Sequence, residues 1–382
     1  NAGIAVCSTG HAHPRVVAAV AEQAGRLLHY SASDFYLPVY SELCAALAAT
    51  APFSPPVRVF LANSGTEAVE GALKLVRYAT GRPYVIGFFG AFHGRSLGAL
   101  SLTASKAAYH RGFAPLPGGV LHAPYAFSRR DPVTGARAHD PEETAEFLDG
   151  LLRYEVDPAE VAAIFVEPVQ GEGGYIVPPP GWLARLRELC DRHGILLVAD
   201  EVQSGMGRTG RMWAVEHSGV QPDVLISAKG IASGLPLGAF LARAELMEAW
   251  PPGAHGSTYG GSPVPCAAGL ATLAVIADEG LLGNASDQGG YLLAGLGELW
   301  QRFPGVVTDV RGIGLMIGVE FRTSGLADQV QRRCFERGLL VLECGESSVR
   351  ISPPLVITRE EAAAVLRIFG EALQTVSNDR RK

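Results

Sequence analysis

Ile195-Leu-Leu-Val-Ala-Asp200-Glu-Val-Gln203 and Val224-Leu-Ile-Ser-Ala-Lys229-Gly230 are the stretches that decide the fold. Each opens as a short, unbroken apolar run and ends on a charged residue. A strand that is apolar at every position, rather than at alternate ones, is buried on both faces. Strands of that kind belong to a parallel sheet covered by helices above and below. Val57–Ala62, Tyr84–Phe89 and Val161–Val166 read the same way, and helical spacing recurs over 66–78 and 181–193. The expected fold is α/β, with a mostly parallel central sheet in a large domain over residues 41–275.

Outward from this sheet the texture changes. Helical spacing appears over 16–28 and 40–48. Beyond Ile276 the pattern predicts a long amphipathic helix over 284–303, strands at 306–310 and 317–321, and a helix over 327–337. Short strands near Leu340 and Val349 follow, then a last helix from Thr358 with Glu361 in capping-box position. Residues 1–40 and 276–382 are assigned to a smaller α+β domain. Two domains suit 382 residues, because single cores stop growing near ~250–300.

Composition excludes several classes. The net charge of −6 comes with no basic face, which argues against nucleic acid as a partner. No apolar run approaches the roughly 18–20 residues of a membrane span. The cysteines (Cys7, Cys44, Cys190, Cys266, Cys334 and Cys344) form no C-x-x-C pair and sit in apolar stretches. They are expected to be buried thiols in a reducing compartment, the cytoplasm. The opening Asn1-Ala-Gly-Ile-Ala-Val has neither Met nor a basic region and reads as a chain without its first segment. The terminal run Asp379-Arg-Arg-Lys382 reads as a frayed end.

In an open parallel sheet, ligands bind beyond the carboxyl ends of the strands. After Val57–Ala62 comes Asn63-Ser-Gly-Thr-Glu67, opening a helix, where backbone N–H groups and the dipole favour a phosphate. A plain cap by Ser64 or Thr66 explains it as well. After Tyr84–Phe89 comes Gly90-Ala-Phe-His-Gly-Arg95, whose Phe92 suits either a flat ligand ring or the core. After Val161–Val166, Glu167 and Glu172 share a Gly-rich loop, which packing does not explain. Asp200 and Lys229 end all-apolar strands, where a charge is costly unless paired. Desolvation depresses a lysine pKa, as an amine that attacks a carbonyl requires. A phosphate cup, a ring cover, a buried acid and a buried amine on one sheet edge are what pyridoxal phosphate needs.

Three motifs compete with that reading. Gly205-Met-Gly-Arg-Thr-Gly210 matches a dinucleotide turn, but Glu201–Ser204 separate it from the strand and Asp223 begins the next one. Gly94-Arg-Ser96-Leu-Gly98 matches a hydrolase elbow, with Asp200 and His217 or His255 as partners, but Ala91-Phe-His precede it. His11 and His13 could suggest a metal, yet Pro14 follows, so they read as cap or turn residues.

Together these residues resemble the class-III pyridoxal-phosphate aminotransferases of fold type I, a group that includes 4-aminobutyrate, ornithine and acetylornithine aminotransferases. The resemblance runs from Gly3-Ile-Ala-Val…Gly10-His-Ala-His-Pro14 to Val349-Arg-Ile-Ser-Pro-Pro-Leu-Val-Ile357. It implies that Lys229 is the Schiff-base lysine and proton shuttle. Asp200 would pair with the pyridinium nitrogen and Gln203 with the ring hydroxyl, with Phe92 and Val202 on the two ring faces. Gly65 and Thr66 would hold the phosphate with Thr258 of a second subunit, which implies a homodimer with shared sites. Arg95 and Arg350 would bind substrate carboxylates, Ser257 would contact substrate, and Glu172 would gate Arg350. Val69, Met206 and Ser262 depart from the family's commoner Asn, Phe or Tyr, and Asn.

The expected activity is transfer of an amino group from an ω-amino or α-amino acid to 2-oxoglutarate. The alternatives are an amino-acid racemase or epimerase of the same family, a hydrolase using Ser96, and a cofactor-free scaffold.

Overall fold

The structure, a computed structural model, describes residues 1–127, 129–130, 137–138 and 141–379. The run beyond Asp379 lies outside the described residues. The central sheet contains β1 (Val57–Ala62), β2 (Tyr84–Phe88), β3 (Val120–Ala123), β4 (Val161–Val166), β5 (Leu196–Asp200), β6 (Val224–Ser227) and β7 (Gly238–Arg243). Their order is β1-β7-β6-β5-β4-β2-β3. From β6 to β3 every neighbour is parallel, while β7 runs antiparallel to both β6 and β1. Every residue of β4 and β6 is buried, as expected of strands covered on both faces.

The sequence reading passes over β3 and β7. Strand β7 follows Gly234-Leu-Pro-Leu, which has the texture of a loop, and it must begin tightly against the exit of β1. A Cβ on Gly238 would collide with the Ser64 carbonyl, so glycine here serves close approach rather than a turn.

Helix α1 (Pro14–Arg26) precedes α2 (Pro38–Ala49), α3 (Gly65–Thr80), α4 (Leu97–Leu102), α5 (Pro141–Tyr154), α6 (Trp182–His193) and α7 (Pro263–Asp278), which accompany the large sheet. Helix α3 starts where the Ser64 hydroxyl accepts from the Glu67 amide at 3.3 Å. Helix α7 packs against α1, α2 and the turn after Lys229.

The second sheet is antiparallel. It comprises β8 (Val307–Ile313), β9 (Met316–Phe321), β10 (Leu342–Cys344) and β11 (Ser348–Ile351), in the order β8-β9-β11-β10. It packs with α8 (Leu281–Arg302), α9 (Ser324–Phe335) and α10 (Arg359–Asp379). The expected capping box is present: the Thr358 amide donates to Glu361 at 2.9 Å and the Glu361 amide to Thr358 at 3.2 Å.

Two buried arginines join the sheets. Arg311 of β8 donates to the Gly174 carbonyl through Nε at 3.0 Å and Nη2 at 2.6 Å, and to Ser348 Oγ at 2.9 Å. Arg208 donates to the Leu315 and Pro353 carbonyls. Among the described residues no single helix is long and apolar enough to cross a membrane. The bent pair α7–α8 passes on composition only together, across a 66° break. All six cysteines are free thiols; Cys7 and Cys44 are only partly buried, because they lie at the margins of the core rather than within it.

Candidate active site

Since β1, β2, β4, β5 and β6 run the same way, their carboxyl ends share one edge. A cleft of about 500 Å³ lies there. Among its lining residues are Gly65, Thr66, Phe92, Arg95, Asp200, Val202, Gln203 and Lys229.

Asp200, 3% exposed, forms the floor. One carboxylate oxygen meets His93 Nδ1 at 2.7 Å and the other accepts from the Val202 amide at 3.0 Å. Burial alone would lower the His93 imidazole, but the hydrogen bond and charge of Asp200, with Glu167 behind it, raise it. Glu167 accepts from the Phe92 amide at 3.2 Å and the Gly171 amide at 3.1 Å. Burial first, and then the Asp200 charge, push its carboxyl up to about 7 against the opposing pull of His93.

Lys229 follows β6, so its side chain rises beside Asp200. Its backbone is left-handed at φ +46°, a conformation that costs energy in a non-glycine residue and is found at functional sites. Burial lowers its amine pKa, with Asp200 and Glu167 opposing.

The opposite wall starts at α3. Gly65 and Thr66 are its first residues, so their amides lack intrahelical partners. A Cβ on Gly65 would come to 3.1 Å from Val202 Cγ1, crowding the cradle between helix and loop. Thr66 Oγ1 and Ser96 Oγ lie 2.6 Å apart. The Gln203 side-chain carbonyl accepts from the Tyr175 hydroxyl at 2.8 Å, which fixes this side chain at the cleft wall. A phosphate-bearing aromatic ring fits this set of donors, acid and amine.

At the rim, Arg95 stacks over Tyr109 at 4.2 Å and lies 5.7 Å from the Phe92 ring centre. Glu172 Oε1 accepts from Tyr109 Oη at 2.9 Å and meets Lys106 Nζ at 3.1 Å. Its Oε2 faces Arg350 Nη1 at 3.4 Å. Arg350 comes from β11, so the pair spans both sheets.

One expected contact is not made within this chain's cleft. Ser257 accepts from Asn63 Nδ2 at 3.3 Å and from the Gly260 amide at 2.9 Å, beside the cleft rather than lining it. Thr258 is exposed next to Tyr259. The sequence alone assigns no specific role to His93, Glu167, Tyr109 or Lys106. His93 and Glu167 fall within quoted motifs and Lys106 and Tyr109 within none, and the partners of all four are set by tertiary contact.

The competing motifs do not assemble. Ser96 Oγ donates to Glu70 at 2.6 Å, His217 bonds Thr209 at 3.1 Å, and His255 meets Lys74 at 3.1 Å; none of these reaches Asp200. The turn 205–210 opens no helix and instead carries Arg208 into the lobe junction. His13 pairs with Glu279 at 3.1 Å rather than capping α1, because the helix start offers it no side-chain bond while α7 ends beside it. No metal-ligating cluster occurs among the described residues. A larger groove of about 720 Å³ between α8 and α10 has its arginines engaged by Gln374, Thr375 and Glu371.

The chain matches the family described as aminotransferase class-III over residues 1–373. It is 39% identical to the 5-aminovalerate aminotransferase of Pseudomonas aeruginosa, over 98% of this chain and 88% of that protein. It is 40% identical to the 4-aminobutyrate aminotransferase of Escherichia coli, over 97% and 89% respectively. A crystal structure of the Toxoplasma gondii ornithine aminotransferase, with partial occupancy of pyridoxal phosphate, superposes with a TM-score of 0.88 at 34% identity. It covers 100% of this chain and 86% of its own.

Proposed function

The chain belongs to the class-III aminotransferases, enzymes that use pyridoxal phosphate to exchange amino groups between amino and keto acids, and from that premise we propose that it transfers the amino group of an ω-amino acid to 2-oxoglutarate. The observation that carries this reading is Glu172 beside Arg350, with Arg95 close by over the Tyr109 ring. A donor such as 4-aminobutyrate or 5-aminovalerate has one carboxylate, whereas the acceptor has two. An arginine always free would favour the acceptor. A carboxylate that covers Arg350 for the donor and leaves it for the acceptor solves that problem. Arginine keeps its charge, so the switch has to be a change of partner. α-Amino donors such as acetylornithine use the same site with Arg350 uncovered.

When bound, pyridoxal phosphate supplies the electron sink for the carbanion formed on the amino acid. In this reading Gly65 and Thr66 hold its phosphate at the start of α3. Asp200, fixed by His93, keeps a proton on the ring nitrogen. Gln203 binds the ring hydroxyl, while Phe92 and Val202 fix the ring plane. Lys229 anchors the group and carries the substrate proton, for which a depressed amine pKa is suited. Residues 41–275 act as the cofactor-binding domain, and 1–40 with 276–382 as the domain that brings Arg350.

We assign the working unit as a homodimer. Leu28, Tyr30, Phe35, Tyr36 and Tyr259 are exposed, and His29 stacks near Tyr259 at 4.8 Å. Exposed apolar side chains gathered in this way mark an interaction surface, and Thr258 lies on it. Free thiols suit a reducing compartment, the cytoplasm.

Stopped-flow half-reactions test the reading. Glu172→Ala should slow the half-reaction with 4-aminobutyrate or 5-aminovalerate and spare that with glutamate; Arg350→Ala should do the reverse. Equal slowing of both halves would reduce Glu172 to a loop brace. Loss of optical activity from an amino acid without amino transfer would favour the racemase reading.

A further inference from the structure

Glu172 has more partners than a two-position gate requires. Its Oε1 is held by Tyr109 Oη at 2.9 Å and Lys106 Nζ at 3.1 Å, both closer than the 3.4 Å between Oε2 and Arg350 Nη1. Arg350 is correspondingly under-coordinated. Its side chain is 5% exposed, and its Nε is buried without a hydrogen-bond partner. The carboxylate therefore leans away from the arginine it is meant to cover, toward a second cation.

Removing a carboxylate from a buried arginine is costly unless both charges find new partners. An incoming substrate carboxylate compensates Arg350. Lys106 compensates Glu172. Lys106 and Tyr109 lie on the turn that follows α4. Behind Lys106 opens a polar cleft of about 520 Å³, lined also by Ser105, Glu343, Glu346 and Ser348, so the ammonium has room to move. Tyr109 carries Arg95 over its ring, so the two arginines meant for substrate carboxylates are joined through Tyr109 and Glu172.

We propose that Lys106 is a specificity-determining positioning residue, which takes the Glu172 carboxylate from Arg350 and so opens the site to dicarboxylate substrates. This rests on the gate reading of Glu172. Without Lys106 the carboxylate has Arg350 as its one cationic partner, and the covered state gains.

The test uses the holoenzyme and the two half-reactions measured separately. Lys106→Ala should raise the KM for glutamate and for 2-oxoglutarate about tenfold, the scale of one charge-assisted hydrogen bond. The 4-aminobutyrate half-reaction should stay unchanged or improve. Lys106→Arg, which keeps the charge, should restore most of the loss. Tyr109→Phe should shift the same preference by less. In a Glu172→Ala background, Lys106→Ala should add nothing, because Lys106 acts only through that carboxylate. Equal damage to both half-reactions, or a further loss in the double variant, would overturn the proposal. If Glu172→Ala discriminates between donors and Lys106→Ala does not, this inference fails and the gate stands. If Glu172→Ala does not discriminate, both fail.

Discussion

At the floor of the cleft each acid is held by short bonds to fixed partners; at the rim, two cations and a phenol share one carboxylate. Asp200 is fixed by His93 at 2.7 Å and by the Val202 amide at 3.0 Å, and Glu167 by two backbone amides. All of these come from loops at one edge of one sheet. Glu172, by contrast, draws partners from the turn after α4 and from β11 of the other sheet, and leaves a buried Arg350 nitrogen without a bond. The floor is preorganised, which suits groups that must meet developing charge without rearranging. The rim is a set of near-equal choices, which suits a site that must accept two differently charged substrates.

The floor should fail completely when its chemistry is removed. Lys229→Ala should lower turnover at least about a thousandfold, as expected when a nucleophile and proton carrier are lost together. The protein should still bind cofactor through its phosphate, but borohydride should no longer fix it. Peptide mapping after borohydride treatment of the wild type should find the label on Lys229. A label on another lysine would move the reactive amine away from this floor.

Asp200→Asn should cost about 10²–10³ in turnover, the usual scale for one preorganised charge, with the fold retained. It should also free His93, whose imidazole is raised by that carboxylate. The imidazole should then titrate at lower pH in a histidine NMR experiment. Near-normal deprotonation in a single turnover would show that the ring nitrogen does not depend on this acid.

These two residues were also the most legible. An acid or a lysine ending an apolar strand stands out from its neighbours, and burial makes it expensive. His93 gave no such signal: whether it meets Asp200 or water depends on how the loop from β2 folds back onto β5. The same holds for Lys106 and Tyr109, which lie in a turn without periodicity. The Glu172–Arg350 pair joins two sheets, and no local pattern connects them; their roles came from family resemblance alone. Strand β7 was hidden because its sequence follows a loop rich in Gly and Pro, and its direction is set by tertiary pairing. Thr258 cannot be read from one chain if its partner lies in another.

Thr258 therefore tests whether the site has a wall beyond this chain. Thr258→Val should weaken cofactor retention about tenfold, the scale of one hydrogen bond to a charged group. Mixed with Lys229→Ala under proven subunit exchange, it should regain activity, because each hybrid dimer holds one site with both residues intact. No gain would place Thr258 in its own subunit's site or outside the site altogether.

The smallest expected effect concerns Glu167, and it asks whether the floor stores electrostatic cost. An ordinary carboxyl of this type titrates at 4.5, whereas in the folded protein Glu167 is pushed up to about 7. The folded state thus binds the proton more tightly than the unfolded chain does. By linkage, stability falls as pH rises from about 4.5 to about 7 and then levels off. Burial raises the carboxyl pKa, His93 opposes that rise, and Asp200 reinforces it. Glu167→Gln removes the titration and retains a carbonyl to accept from one of the two amides. The variant should match or fall slightly below the wild type in Tm near pH 5. It should gain on the wild type by a few degrees at pH 8, since each pKa unit is worth about 1.4 kcal/mol and the rise from 4.5 to about 7 spans more than two of them. Two Tm curves that run parallel from pH 5 to pH 8 would mean that Glu167 is ionised throughout. His93 would then compensate two carboxylates, and the floor would be a shared cation site rather than one firm pair beside a neutral acid.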